Sequence, residues 1–332
     1  MRASIERPGA SGFVRAGSWI FGTGLRAREP KAVFDRMAAE LAKAGSSMSR
    51  VARLDQYYPD VRCVVPYHAA RKQAFGAGPI APSTSVVVSA LQHADAEVEV
   101  QVIAATAASG YLPTPVVTGL NRPEASGYTP CLRVGDTIFV AGQLARDATG
   151  KLAAQGTGPE TDYLVESRLN PALEAAQSGL DLVLKAQVYL SQPKDVPAFW
   201  QSWTRAFGNR VPPTTVVPVR HPAFLTSEAT IEVNVVAAHR SARSRVRDIA
   251  PQARAFDGLL FVAGLTGRHP DEVLEQATRI FAAAGTDLSS VVRALYFHSG
   301  NTELHDPGFP FSAVEVLPGS DVTIDLWANL PT

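Results

Sequence analysis

The chain contains very little cysteine and no excess of either charge, and both shortages narrow what it can be. Only two of its 332 residues are cysteines, at unrelated places, so neither a disulfide framework nor a zinc pattern is predicted. Lysine and arginine number 31, and aspartate and glutamate also number 31. This balance gives no electrostatic basis for binding nucleic acid or an anionic membrane surface. We therefore predict a protein that has no metal centre and binds neither of these partners.

Long apolar runs and cofactor motifs are missing as well. The longest apolar stretches have the length of strands, well below the roughly 20 residues of a membrane span. The first residues, MRASIERPGASG, lack the apolar core of an export signal. The segment GSWIFGTG lacks the lysine and the helix start of a phosphate-binding loop, and no serine elbow follows a strand. The sequence thus predicts a cytoplasmic protein that uses no cofactor.

Repetition is the most prominent feature that the chain does have. Three segments end an apolar run with a glycine: WIFGTG at 19–24, TIFVAG at 137–142 and LLFVAG at 259–264. Three later segments carry one acid among apolar residues: VEVQVIAA from Val98, IEVNVVAA from Ile231 and IDLWANL from Ile324. A period of about 115 residues is too long for a solenoid, so each copy is predicted to be a small domain.

The spacing within the copies supports this division. Gly24 precedes Arg53 by 29 residues and Gly264 precedes Arg293 by 29, whereas the equivalent step in the middle copy is 43. From the basic residue to the acid of the last strand, the third copy has only 32 residues against 46 and 47 in the others. The third copy is therefore predicted to lack about one helix. The predicted domains are residues 1–115, 116–243 and 244–332, the last one truncated.

Each copy is predicted to be an α+β unit with the order ββαβαββ. Helical spacing of apolar residues predicts first helices at 31–44 and 270–284, and one within 160–179 that Pro171 bends or starts. Second helices are predicted at 66–75 and 196–207, whereas the third copy has the turn-rich stretch HSGNTELHDPGFP instead. Helices on one face leave the other face of each sheet apolar. Three sheets are therefore predicted to pack around a common axis.

The match to a known family is most specific in the second copy. Tyr128 lies fourteen residues before Gly142, the stretch VPPTTVVPV precedes the last strand, and that strand reads IEVNVVAA. In these features the chain resembles the RidA family, also called YjgF and often described as endoribonuclease L-PSP. The resemblance implies a chorismate mutase-like fold, with three units forming a trimer that has a ligand site in each cleft. Here the three units would be fused into one chain, a pseudotrimer.

The resemblance also implies which positions face the clefts. The strand-closing glycine of the family corresponds to Gly24, Gly142 and Gly264, and its cleft tyrosine to Tyr128. The acid that orients a water molecule corresponds to Glu99, Glu232 and Asp325, and we predict Glu99 and Glu232 to be catalytic. The carboxylate-binding arginine of the family is absent, and by register its place is taken by Ser83, Pro213 and Phe311. The hydroxyls of Ser83 and Thr214 are predicted to contact ligand there instead.

A polar cluster in the first copy is a candidate replacement for the missing arginine. His68 and Arg71 fall on one side of a predicted helix, and Tyr58 ends the strand before it. A histidine beside an arginine and tyrosines can hold an anionic or aromatic ligand and move a proton. Trp200 takes the place of His68 in the second copy, and His298 takes the place of Tyr58 in the third. Both are also predicted to bind ligand.

Three classes of function are compatible with these residues. The first is a hydrolase or deaminase that adds water to a small unsaturated metabolite, an imine, an enamine or an aromatic compound, in a cleft between domains. The second is a chorismatase-like enzyme, and the third is a binding protein whose clefts have lost catalysis. The expected partner is a small-molecule ligand. Because the third copy lacks a helix, a homodimer of pseudotrimers is also predicted.

Overall fold

Three mixed β-sheets form the framework of the molecule, and each is built mainly from one third of the chain. The computed structural model describes residues 5–6, 12–121, 126–220, 222–300, 302–317 and 321–330. The first third contains β1 (Ile5–Glu6), β2 (Phe13–Ala16), β3 (Trp19–Ala27), β4 (Val51–Tyr58), β5 (Ser83–Val87), β6 (Ala90–Leu91) and β7 (Val98–Ala105). The middle third contains β8 (Thr114–Pro115), β9 (Cys131–Val134), β10 (Thr137–Gln143), β11 (Val183–Leu190), β12 (Thr214–Pro218) and β13 (Ile231–Ala238). The last third contains β14 (Arg247–Ala250), β15 (Ala253–Phe256), β16 (Leu259–Gly267), β17 (Val291–His298), β18 (Phe311–Glu315) and β19 (Val322–Asn329).

The three sheets share one strand order. They run β2-β3-β7-β4-β5, β9-β10-β13-β11-β12 and β15-β16-β19-β17-β18, with short strands added at the edges. In each, the last two strands of that order are parallel, and the other neighbouring pairs are antiparallel. The short strand β6 crosses from the first third of the chain to pair with β18, which ties the first and last sheets together. The predicted succession of strands is therefore confirmed in all three thirds of the chain.

The helices follow the predicted positions closely. They are α1 (Pro30–Lys43), α2 (Val64–Phe75), α3 (Thr157–Leu164), α4 (Asn170–Ala175), α5 (Val196–Phe207) and α6 (Pro270–Ala283). The helix α1 begins at a proline, which needs no hydrogen-bond acceptor there, and ends before Gly45 at φ +79°. Between α3 and α4 the chain makes a wider π turn at Val165–Leu169, because Pro171 has no N–H for the carbonyl of Ser167. Among the described residues, no helix is long and apolar enough to cross a membrane.

The last third has no second helix in the part of 299–310 that the structure describes, as predicted. Instead, the loop between β17 and β18 covers its own sheet. Phe309 of this loop is buried in the same apolar cluster as Phe281 of α6, and Leu304 packs against that cluster. The predicted homodimer depended on an uncovered sheet here, so that reason for it is wrong, and the dimer itself stays a prediction.

Alternation along the last strands decides which side chains face a neighbouring sheet. On β7, Val98, Val100 and Val102 pack into the apolar core beneath α1 and α2. Glu99 and Ile103 therefore point to the opposite face, and Ile103 joins a cluster that includes residues from all three sheets. Glu99 thus faces away from the helices, towards the neighbouring sheets.

Three aromatic rings mark the point where the sheets meet. Tyr57 and Tyr189 lie with ring centroids 6.4 Å apart, and Phe297 lies 6.1 and 6.0 Å from them. Each ring belongs to the same position of its sheet, on β4, β11 and β17. This nearly equilateral triangle is the geometry expected of three like units around one axis.

A buried cluster of charges surrounds the same axis. Arg53 and Arg293 both pair with Asp55, and Lys185 pairs with Asp325. Burial alone would raise the pKa of Asp55, but Arg53 and Arg293 outweigh it and lower that pKa. Burial lowers the pKa of Lys185 to about 8, although Asp325 opposes the shift. All five side chains are almost completely excluded from solvent, so these pairs compensate charges that would otherwise be very costly to bury.

The hydrogen bond between two of the central tyrosines gives a test of this packing. The hydroxyls of Tyr57 and Tyr189 lie 2.8 Å apart in a buried environment. We expect Tyr57→Phe to lower the free energy of unfolding by about 1–2 kcal/mol, because the Tyr189 hydroxyl loses its partner. The control is Tyr296→Phe, since the buried Tyr296 hydroxyl has no hydrogen-bond partner among the described residues. Urea denaturation in which both variants lose equal stability would contradict the prediction.

Candidate active site

Three clefts lie where the closing glycine of one sheet meets the edge strand of the next. The Gly24 cleft lies between β3 and β18, the Gly142 cleft between β10 and β5, and the Gly264 cleft between β16 and β12. Each edge strand brings a hydroxyl residue to the same register position: Ser312, Thr84 and Thr215, respectively. The clefts therefore share their strand pairing, but they differ in side chains and in the backbone of the glycine, because Gly24 and Gly264 have positive φ and Gly142 does not.

The hydrogen bonds of the hydroxyl residue distinguish the Gly142 cleft from the other two clefts. The backbone N–H of Gly24 donates to the Ser312 hydroxyl at 3.0 Å, and that of Gly264 donates to the Thr215 hydroxyl at 3.0 Å. Thr84 is instead held towards the central axis, where its hydroxyl accepts from Arg53 at 3.2 Å and from Asn234 at 3.0 Å. The Gly142 cleft is thus the one whose hydroxyl is engaged away from the glycine.

A cavity of about 50 Å³ occupies the Gly142 cleft. Its lining combines side chains from the first and middle thirds of the chain: His68, Ser83, Ser85, Asn121, Ser126, Tyr128, Gly142, Leu144, Arg146, Arg168, Leu225 and Glu232. Five of these, namely His68, Ser83, Tyr128, Gly142 and Glu232, are site residues predicted from sequence. The structure brings those five together around one small space.

Glu232 is the acid of this cavity, and its carboxyl group lies directly over Gly142. A Cβ atom added to Gly142 would come within 1.8 Å of Oε1 of Glu232, so only a glycine leaves room for the carboxyl group. Burial raises the pKa of Glu232 to about 8, although the charges of Arg146 and Arg53 lower it in part. Glu232 is therefore mainly neutral at pH 7 and can donate a proton, whereas the family resemblance implied an acid that orients a water molecule.

His68 lines the cavity as a neutral side chain. Its Nε2 lies 3.3 Å from the Ser85 hydroxyl. Burial, together with the charges of Arg71 and Lys72, lowers the pKa of His68 to about 3. An imidazole with so low a pKa is a hydrogen-bonding group at neutral pH and a poor proton carrier. The predicted proton transfer by His68 therefore has no support from its surroundings.

Arg71 and Tyr58 lie behind the wall of the cavity rather than in it. Arg71 donates to the Ser83 hydroxyl at 2.9 Å and to the carbonyl of Ser126 at 2.7 Å. The Tyr58 hydroxyl donates to Oε1 of Gln56 at 3.0 Å. Their predicted contact with ligand is therefore indirect, through the position and polarity of Ser83 and its neighbours.

Two arginines that the sequence reasoning missed line the cavity. Arg168 projects from the π turn and donates to Asn121 at 2.5 Å and to Gln143 at 3.3 Å. Arg146 follows β10 and contacts the Thr226 hydroxyl. One sequence signal pointed to Arg146: an arginine stands four residues after the closing glycine in every copy, as Arg28, Arg146 and Arg268. No comparable signal marks Arg168.

The remaining predicted residues are distributed over the other two clefts. Glu99 faces the Gly24 cleft, where neither of its buried carboxyl oxygens has a hydrogen-bond partner among the described residues. Burial raises the pKa of Glu99 to about 7, which the charge of Arg26 partly offsets. Trp200, Thr214 and Gly264 line a cavity of about 700 Å³ at the Gly264 cleft. His298 ends β17 with Nδ1 2.8 Å from the carbonyl oxygen of Ser299 and lines neither of these two cavities.

Two predicted alignments in the third and second copies are wrong. On β19 it is Thr323 that lies opposite Phe297, as Glu99 lies opposite Tyr57 and Glu232 opposite Tyr189. Asp325 stands two residues further on and pairs with Lys185 at the central axis, so it is not the acid of a cleft.

The position of the missing family arginine is also shifted by one in the second copy. Thr214 pairs with Ala186, as Ser83 pairs with Leu54 in the first copy and Phe311 with Ala294 in the third. The residue at that position is therefore Thr214 and not Pro213.

The described residues contain no group of three His, Cys, Asp or Glu side chains that could hold a metal ion. What they do contain is an α+β framework with polar clefts between its sheets, an arrangement typical of proteins that process small molecules. Residues 119–239 match the family model described as Endoribonuclease L-PSP. A RutC family protein of Saccharolobus solfataricus is 31% identical over 119 residues, which span 35% of this chain and 91% of that protein. The chain therefore belongs to the RidA family.

Other relatives match a similar share of the chain. Protein HMF1 of Saccharomyces cerevisiae is 26% identical over 127 residues, which cover 38% of this chain and 95% of HMF1. The crystal structure of yeast Mmf1 is 23% identical, with a TM-score of 0.35, and the match covers 39% of this chain and 99% of that one.

Proposed function

We propose that the protein is a hydrolase that converts a small imine or enamine to a carbonyl compound and ammonia in the Gly142 cleft. The observation that carries this proposal is the buried Glu232 carboxyl group, mainly neutral at pH 7 and held against Gly142 in a cavity of about 50 Å³. At about 30 Å³ per water molecule in the liquid, a cavity of this size holds one or two waters, so it suits the attacking water and the reacting group of a small metabolite. Membership of the RidA family supports the same class of reaction.

The proposed mechanism uses Glu232 as proton donor and acceptor in turn. The neutral carboxyl group protonates the imine nitrogen, and water adds to the carbon while the resulting carboxylate takes one of its protons. A second transfer protonates the amine of this adduct, the C–N bond breaks and ammonia leaves. The remaining hydroxyl proton returns to Glu232 as the C=O bond forms, so one water is consumed and the residue ends as it began.

The three sheets support a fused trimer as the setting of this site. Equal strand orders, the triangle of Tyr57, Tyr189 and Phe297, and the three glycine clefts are what three tandem RidA-like units would produce. We propose that the units correspond to residues 1–115, 116–243 and 244–332. Among the described residues, the Gly142 cleft alone combines the acid, the tyrosine and a cavity, so one cleft of three would be catalytic.

The pH dependence of turnover tests the role of Glu232. The donor must be neutral, and its pKa is about 8, so kcat/KM should be constant between pH 6 and 7 and fall about tenfold per unit well above pH 8. The measurement is the rate of ammonia release from imines formed by an amino-acid oxidase, with the oxidase in excess at every pH. A rate that rises through pH 8 would show that the carboxylate acts as a base from the start and would contradict this mechanism.

A further inference from the structure

We propose that the Gly142 cleft binds its substrate as a dianion, a small dicarboxylate, with Arg146 as the residue that contacts one carboxylate directly. This inference rests on the proposed function, since it names the substrate class of the same cleft. The RidA family binds a substrate carboxylate with one arginine on the edge strand. Ser83 occupies that position here, so a carboxylate in this cleft must be bound by another residue.

The first observation is an excess of uncompensated positive charge around the cavity. Arg146 and Arg168 line it, and Arg71 lies directly behind Ser83. Among the described residues, none of these three guanidinium groups has a carboxylate within ion-pairing distance. The acid of the cavity, Glu232, is held mainly neutral and does not balance them. Three buried or half-buried cations without a counter-ion are costly, and an anionic ligand removes that cost.

The second observation is that Arg146 has unused hydrogen-bonding capacity. Its buried Nε has no hydrogen-bond partner among the described residues, and its Nη2 donates to a neutral hydroxyl, that of Thr226. Arg168, by contrast, already donates hydrogen bonds to Asn121, to Gln143 and to the carbonyl of Arg146. A carboxylate bound by Arg146 would accept the hydrogen bond that Nε can donate, because a guanidinium group and a carboxylate form two parallel hydrogen bonds.

All three guanidinium groups act electrostatically on one side chain of the cavity, that of Tyr128. Burial raises the pKa of Tyr128, the charge of Glu232 raises it further, and Arg168, Arg146 and Arg71 all lower it. The Tyr128 side chain is therefore within electrostatic reach of the acid and of all three guanidinium groups. A ligand beside Tyr128 and Glu232 would lie in the field of all of them.

The placement of the cations favours two separate carboxylates over a phosphate group. Arg71 belongs to α2 in the first third of the chain, whereas Arg146 and Arg168 belong to the middle third, on the other side of the cleft. A dicarboxylate puts its two charges at its two ends, with the reacting carbon between them. A phosphate puts both charges on one group and would leave one side of the cleft uncompensated.

Calorimetric titration of the full chain tests the proposal without requiring turnover. The probes are succinate, its monoamide succinamate, which has the same shape and one charge fewer, and inorganic phosphate. Succinate should bind at least tenfold more tightly than succinamate or phosphate. Arg146→Gln should weaken succinate binding about tenfold to a hundredfold, since a hydrogen bond between charged groups is lost. Arg146→Lys, which keeps the charge but not the planar fork, should show a smaller loss.

The matched control is Arg210→Gln, because Arg210 lines the larger cavity at the Gly264 cleft and pairs with Asp181 at 3.6 Å. This variant should bind succinate within twofold of the parent protein. Equal affinity for succinate and succinamate, tighter binding of phosphate, or an Arg146→Gln variant that binds succinate normally would each overturn the proposal. If Arg146→Gln does not fold, the comparison of probes on the parent protein and Arg146→Lys decides. Tight succinate binding without any imine turnover would contradict only the proposed hydrolase activity.

Discussion

Glutamine in place of Glu232 is expected to lower kcat/KM for imine hydrolysis about a thousandfold while making the folded protein more stable. The loss arises because an amide cannot donate and then accept the proton, and a positioned acid–base group contributes about 10²–10⁴ in rate. The gain arises because the carboxyl group is buried without compensating charge close enough to keep its pKa low. This single substitution should therefore lower the activity and raise the stability of the protein.

The sign of the stability effect follows from the raised pKa of Glu232. In the unfolded chain this group ionises near its usual pKa of 4.5, whereas in the folded protein it stays neutral up to about 8. The parent protein therefore loses free energy of unfolding as the pH rises from about 4.5 to 8, at up to about 1.4 kcal/mol per unit. Glu232→Gln lacks this loss. Its advantage in urea denaturation should be small at pH 4.5, grow to a few kcal/mol at pH 8 and stay constant above that.

Glu99→Gln is the matched control for this experiment. Glu99 occupies the same strand position in the Gly24 cleft and is equally buried, and burial raises its pKa to about 7. Its cleft is not the proposed catalytic one, because the Ser312 hydroxyl already accepts the N–H of Gly24. Glu99→Gln should therefore gain stability in the same pH range and keep its turnover within twofold. Equal loss of activity in both variants would instead make Glu99 catalytic, as the sequence alone suggested.

Local sequence signals were sufficient to predict most of the framework. Apolar residues at helical spacing, with a proline at the start and a glycine after the end, located α1 and α6 to within one residue at each end. The helix α5 was predicted over its full range, 196–207. These features depend on interactions between near neighbours in the chain, and such interactions can be recognised from sequence.

The alignment of the third copy could not be decided in the same way. Side chains alternate along a strand with a period of two, so a shift of two residues leaves every side chain on the same face. Asp325 and Thr323 therefore fit the apolar pattern equally well. Asp325 was aligned with Glu99 and Glu232 because it is also an acid. Only the pairing of Phe297 with Thr323 shows the true register.

The ligand-facing arginines were missed for a different reason. Arg168 reaches the cavity because the π turn redirects the helix, and its partner Asn121 lies 47 residues away in the chain. A turn of that kind depends on tertiary packing as much as on Pro171. Residues brought together across such separations leave no periodic trace in the sequence.

The charges at the central axis are not arranged with threefold symmetry. Arg53, Lys185 and Arg293 stand at equivalent positions, so identical subunits would bring three like charges together. The acids that neutralise them are not equivalent: Asp55 lies on β4, whereas Asp325 lies on β19. Symmetry is thus broken at the axis itself.

Alanine in place of Gly142 is expected to reduce kcat/KM about a hundredfold or more without unfolding the protein. Gly142 does not have a positive φ, so alanine is compatible with the backbone at this position. Its Cβ atom would nevertheless overlap Oε1 of Glu232, at 1.8 Å, and force the carboxyl group out of its place. A displaced acid can no longer reach a nitrogen in the cavity, and proton transfer depends steeply on that distance.

Gly158→Ala is the matched control for Gly142→Ala. Gly158 lies in α3 of the same third of the chain, where an added Cβ would meet the Ser202 hydroxyl oxygen only at 3.7 Å, an ordinary contact. This variant should keep kcat/KM within twofold and should be as stable as the parent protein or slightly more so, because alanine favours the helix. Turnover by Gly142→Ala close to that of Gly158→Ala would mean that the carboxyl group need not lie against Gly142, and Glu232 could not then act from the position that the structure gives it.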